Sequence, residues 1–192
     1  MYRVAHRLQR ALALGLLSLA VPLSTNPALA EAKPRSSDAT LSLPDLEDLN
    51  PGQYRWLADA SGEGPVRVLV SLPLQRAYVF RGEALIGVST ISSGRPGYDT
   101  PTGAFTILQK KVHHRSNLYD DAPMPHMQRL TWDGIALHAG AIPGEPASHG
   151  CIRLPAAFAR RLYALTELGT EVVVTDLAPA VPEEALALAS AS

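Results

Sequence analysis

The stretch Val66-Arg67-Val68-Leu69-Val70-Ser71-Leu72 decides the fold class. Val66, Val68, Val70 and Leu72 alternate with Arg67, Leu69 and Ser71, and a period of two puts each set on its own face of a strand. Downstream, Ala77–Phe80 and Ala84–Ile91 read as two more strands joined by a tight hairpin at Arg81-Gly82-Glu83. Ser92–Gly103 carries Gly94, Gly97, Gly103, Pro96 and Pro101 and reads as loop. Further strands are expected at Ala104–Gln109, Gly134–His138 and Glu171–Thr175. One principal helix is expected with Pro155 in its first turn, an apolar stripe of Phe158, Leu162, Leu165 and Leu168 and a stop at Gly169. Upstream, Gln53–Ala60 is read as a short helix. The expected architecture is therefore mainly β, a curved sheet or sandwich with one principal helix.

Between these elements, Lys110–Leu130 shows no clean period but holds Lys110, Lys111, His113, His114, Tyr119, Met124, His126 and Met127. A long irregular insertion in a small domain is read as a cover or one wall of a cleft, the alternative being a variable surface loop.

The ends of the chain have a different character. Arg3, Arg7 and Arg10 precede the apolar run Ala11–Val21, and Ala28-Leu29-Ala30 offers a small-x-small cleavage site, so residues 1–30 read as a signal peptide for export to the periplasm or cell-wall space. The apolar run is too short to span a bilayer, and no stable membrane insertion is expected after cleavage. Residues 31–64, rich in Ser, Pro, Asp and Gly, read as a linker or N-terminal arm; 65–176 as the folded domain; and 177–192 as a flexible tail. Without residues 1–30 the chain keeps 14 basic and 18 acidic side chains, a net charge of −4 that argues against a nucleic-acid partner.

The only cysteine, Cys151, lies in Ser148-His149-Gly150-Cys151-Ile152-Arg153. A lone thiol in an exported protein has no internal disulfide partner, so reactivity competes with the plainer role of a small buried hydrophobe. A thiol needs a nearby imidazole or main-chain dipoles to become a nucleophile, and both are at hand. All six histidines precede Cys151, which excludes the papain-like order of cysteine before histidine. Of them His138, at a strand end, is best placed as general base and acid, against the alternative of a structural imidazole. Gly150 lets the main chain approach a substrate closely and is expected to supply an oxyanion amide. An acyl-transfer site is the inference.

Around this pair, His149 is expected to position substrate or brace the turn, and Ser148 to make a hydrogen bond within the site. Arg153 either grips a carboxylate or pairs with a structural acid. Tyr98, Tyr119 and Trp132 either line the groove or simply pack. A rival zinc site built from the histidines and Cys151 matches no ligand spacing, and neither metal nor organic cofactor is expected.

The run His138…Ser148-His149-Gly150-Cys151-Ile152-Arg153, preceded by Gly94-x-x-Gly97-x-x-Thr100-Pro101-Thr102-Gly103-x-Phe105, resembles the signature of L,D-transpeptidases with a YkuD-type catalytic domain over about Val66–Asp176. Two departures stand out: a short spacing between the histidines, and Arg153 where many members carry asparagine. The resemblance implies that Cys151 attacks the L-centre carbonyl of the diamino acid in a peptidoglycan tetrapeptide stem and releases D-alanine. A second stem's amine then resolves the thioester into a 3→3 cross-link. It further implies that His138 is oriented by the main-chain carbonyl of Ala139 and that carbapenems acylate the same sulfur. Two other readings stay open: an L,D-carboxypeptidase or an enzyme that attaches or detaches a wall-bound protein, and a non-catalytic peptidoglycan-binding module.

Overall fold

The computed structural model describes residues 48–57, 63–118 and 121–191. The signal segment, most of the 31–64 arm and Tyr119 lie outside the described residues.

Among the described residues, ten strands form two sheets. The larger is built from β1 (Tyr54–Trp56), β2 (Val66–Ser71), β3 (Arg76–Arg81), β4 (Ala84–Thr90), β5 (Gly103–Thr106) and β10 (Glu171–Thr175), in the order β1-β4-β3-β2-β10-β5. Only β2 and β10 run parallel, and both are central. The alternation read from sequence has a simple outcome: Val68, Val70, Ala77, Val79, Val172 and Val174 enter the main core, while Leu69, Tyr78, Phe80 and Val88 enter a second apolar cluster. A register shift at Val79/Phe80 inserts one extra residue in β4, which lets Ile86 and Val88 reach different clusters despite equal parity.

The smaller sheet, β6 (Gln109–Lys111), β7 (Met127–Arg129), β8 (Ala136–Ala139) and β9 (Ile152–Leu154), lies in that order, with β8 and β9 parallel. Leu137, Ala139, Ile152 and Leu154 join the main core, so the two sheets share it. Helix α1 (Ala156–Leu165) closes the core with Phe158, Ala159 and Leu162. Phe158 meets Trp56 edge-on at 5.3 Å. That contact depends on Gly87, where a Cβ would stand 2.9 Å from the Trp56 ring. Lys110 Nζ donates to the carbonyls of Tyr163 and Thr166 at the C-terminal end of α1, where the helix dipole favours a cation.

Several expectations are corrected. Gln53–Ala60 is not a helix in its described part, because Tyr54–Trp56 pairs with β4 as a strand. Ala104–Gln109 divides into β5 and the start of β6, with Ile107 and Leu108 crossing between the sheets. Pro155 is the N-cap of α1, and Leu168, 64% exposed, lies beyond its end. The segment expected as a flexible tail forms helix α2 (Pro182–Ala189), whose fully buried Ala185 and Ala189 pack with Leu49 on the second cluster. Pro182 in its first turn with Glu183 and Glu184 beside it is a helix-start signal that the residues carry plainly.

Candidate active site

Strand periodicity builds the site. On β8 and β9, Leu137, Ala139, Ile152 and Leu154 face the core, so the alternating residues Ala136, His138 and Arg153, with Cys151 just before β9, face the other way. His138 is the register partner of Arg153, two residues beyond Cys151 on the neighbouring parallel strand. The thiol and the imidazole thus share one face, and both line a cavity of about 520 Å³.

The insertion before β7 roofs this cavity. It is not irregular: the β6–β7 register continues outward through His126 N–H to Val112 C=O (2.8 Å), Met124 N–H to His114 C=O (2.9 Å) and Ser116 N–H to Ala122 C=O (2.9 Å). Positive φ at His126 (54°) and Asp121 (51°) and prolines at 123 and 125 break the side-chain alternation, which is why no period shows in sequence. Ala139 N–H donates to Pro125 C=O (2.8 Å) and ties the hairpin to β8. Leu118 reaches Gly134, where a Cβ would lie 2.9 Å from its methyl group.

His138 is buried, and its Nδ1 lies 2.9 Å from Ala139 C=O. A carbonyl only accepts, so Nδ1 carries the hydrogen and Nε2 is left as the basic nitrogen. Burial lowers the imidazole pKa from 6.5; the Ala139 bond opposes this, and Arg153 and His114 add to it. Burial raises the Cys151 thiol above its ordinary 9.0, against the Ala136 N–H and the charges of Arg129 and Arg153. Both shifts favour a neutral resting pair over an ion pair. The thiol donates to Gly134 C=O at 3.3 Å. Among the described residues no hydrogen bond joins it to His138.

The cysteine turn is braced from two sides. Ser148 Oγ donates to Cys151 C=O (2.5 Å) and accepts Gly150 N–H (3.1 Å). The Gly150 N–H, expected as an oxyanion donor, is engaged inside the turn, and Ser148, whose hydroxyl braces the loop, also lines the cavity. Gly150 has φ 103°, in the left-handed region, and a Cβ there would sit 2.8 Å from Ile135. From the other side, Ser92 and Arg153 exchange main-chain hydrogen bonds and Ser93 C=O accepts from Ala147 and Ser148, lacing the Ser92–Gly103 loop to the turn.

The other expected residues divide. His149 and Arg153 line the cavity; His149 packs edge-on against Tyr98 at 4.7 Å. The ion pairs among the described residues, Arg67–Glu171 and Arg115–Asp121, leave Arg153 out, so the structural-acid alternative gains nothing. Tyr98 and Trp132, the latter 71% exposed, stand outside the lining residues. Three contributors escaped sequence reasoning. Arg129 and His114 line the cavity from the hairpin, and the Gly134 carbonyl holds the thiol. For the first two the cluster of basic residues in the insertion was the available signal; a main-chain carbonyl gives none. Among the described residues no group of three or more His, Cys, Asp or Glu is placed to hold a metal ion.

The chain is similar to known proteins in sequence and fold. A family model, YkuD, the L,D-transpeptidase catalytic domain, matches residues 65–174. A probable L,D-transpeptidase 3 of Mycobacterium tuberculosis is 31% identical over 137 residues, covering 62% of this chain and 48% of that protein. The chain therefore spans about half the length of this curated relative. A crystal structure of an L,D-transpeptidase from Stackebrandtia nassauensis is similar with a TM-score of 0.55 and 26% identity, over 65% of this chain and 63% of the other. L,D-transpeptidase 3 of M. tuberculosis in complex with a faropenem-derived adduct gives 0.53 and 27%, over 57% and 60%. Since the family model spans more than half of the sequence and takes in both cavity strands and the braced turn, this chain belongs to the YkuD family of L,D-transpeptidase catalytic domains.

Proposed function

We propose that this protein is an exported peptidoglycan L,D-transpeptidase that forms 3→3 cross-links through a thioester on Cys151. The observation that carries the reading is the shared face of His138 and Cys151 on adjacent parallel strands, opening into one covered cavity beside Arg129 and Arg153. Two guanidinium groups suit a ligand rich in carboxylates, such as a stem peptide ending in D-alanine with a diamino acid before it. The export motif in residues 1–30 would bring the enzyme to that substrate in the periplasm or cell-wall space.

Chemically, the thiol swings from Gly134 toward His138, Nε2 takes its proton, and the sulfur adds to the carbonyl of the L-configured diamino acid centre. A C–S bond forms and the carbonyl oxygen becomes an oxyanion. Collapse breaks the C–N bond to D-alanine, whose nitrogen takes the proton from His138. An amine of a second stem then attacks the thioester; an amide forms, the C–S bond breaks, and the thiol recovers its proton. The Ala139 carbonyl holds the ring through both transfers. With Gly150 N–H committed to Ser148, the Cys151 N–H is the donor assigned to the oxyanion.

Product analysis of tetrapeptide-bearing muropeptides by mass spectrometry tests this. Dimers lacking one D-alanine are expected. Tripeptides alone would make the enzyme an L,D-carboxypeptidase, and unchanged substrate with binding would leave only a wall-binding module.

A further inference from the structure

The loop Ser92–Gly103 supplies one side chain that reaches the cysteine turn from behind. Thr100 is 5% exposed and does not line the cavity. Its Oγ1 accepts Gly94 N–H at 2.9 Å and donates to Gly150 C=O at 2.8 Å. The hydroxyl is held firmly: Gly94 sits so close to its own loop that a Cβ would come within 1.9 Å of the Tyr98 carbonyl, and Gly94 bridges to Ser148.

A trans peptide is planar, with its C=O and N–H antiparallel. Fixing the Gly150 carbonyl therefore fixes the direction of the Cys151 N–H. The constraint matters because Gly150, with no side chain and φ 103°, can rotate the peptide that follows it more freely than any other residue. We infer that Thr100 is a positioning residue: by holding the Gly150–Cys151 peptide plane, its hydroxyl aims the Cys151 N–H at the oxygen that becomes negative when the sulfur adds to a carbonyl. Thr100 acts through Gly150 and touches no substrate. This inference rests on the acyl-transfer reading above and extends it to a residue outside the cavity.

Two reactions of the same thiol separate the effect. Acylation by imipenem creates an oxyanion; alkylation by iodoacetamide displaces iodide at a saturated carbon and creates none. For Thr100→Val in the full chain, the maximal acylation rate should fall at least about tenfold, with half-saturation and alkylation rate each within about twofold of wild type. Thr100→Ser, which keeps the hydroxyl, should restore acylation to within about threefold. Unchanged acylation in Thr100→Val overturns the inference, and so does an equal loss of alkylation, which would make the hydroxyl a support for the thiol itself. If Thr100→Val melts early and its thiol alkylates faster than wild type, the fold has opened, and Thr100→Ala against Thr100→Ser decides on the same rates. Wild type that forms no acyl adduct would instead bring down the acyl-transfer reading, and this inference with it.

Discussion

The two sheets share one apolar core but use their outer faces differently. The six-stranded sheet seals its outer face with Leu49 and with Ala185 and Ala189 of α2, over Leu69, Tyr78, Phe80 and Val88. The four-stranded sheet turns Ala136, His138, Cys151 and Arg153 outward under a hairpin and keeps a cavity there. One face is committed to stability, the other to reactivity. Damage to the first should therefore unfold the protein while sparing the chemistry of the folded fraction, and damage to the second should do the reverse.

The largest effect expected from breaking this division comes from Cys151→Ala. Turnover should fall by at least about 10⁴-fold. The side chain gives up weak thiol contacts to Gly134 C=O and Ala136 N–H, so chemical denaturation should register less than about 1 kcal/mol. His138→Gln should slow acylation by about 10²–10⁴-fold, read by stopped-flow with a carbapenem. On the sealed face, Ala185→Asp places an unpaired carboxylate against the second cluster and should remove about 3 kcal/mol in urea melts, with the acylation rate of the folded protein unchanged. Lys110→Met, which uncaps the end of α1, should cost about 1 kcal/mol by the same measure.

The acid side gives a subtler test. Burial holds the folded His138 below its ordinary 6.5, so the unfolded chain binds this proton more readily. Stability is complete above pH 6.5 and declines as pH falls through the depressed value, with a slope from this group below the one-proton limit of about 1.4 kcal/mol per pH unit. His138→Gln should remove that part of the slope. A slope left intact would place the imidazole in a solvated setting.

What sequence made legible follows the same division. The alternation of β2 and the short apolar, turn-bounded runs of β3 and β10 are local information, and those strands form where it puts them. The three-residue β1 is too short to carry a period and exists through its pairing with β4. Cys151 and His138 stand out because few residue types can do their chemistry and because chain order limits the base. The Gly134 carbonyl has no side-chain trace, and the Gly150 amide looks available until Ser148 is seen to take it. Thr100 is visible as a letter in a glycine-rich run, but its contact to Gly150 crosses 50 residues and belongs to the tertiary fold.

The decisive point is where the acyl group goes. Wild-type protein quenched in acid during reaction with a tetrapeptide stem, then digested and mapped by mass spectrometry, should carry the stem without its terminal D-alanine on the peptide that contains Cys151, and Cys151→Ala should carry none. Turnover that persists in Cys151→Ala, or an acyl group mapped to any other side chain, would contradict it.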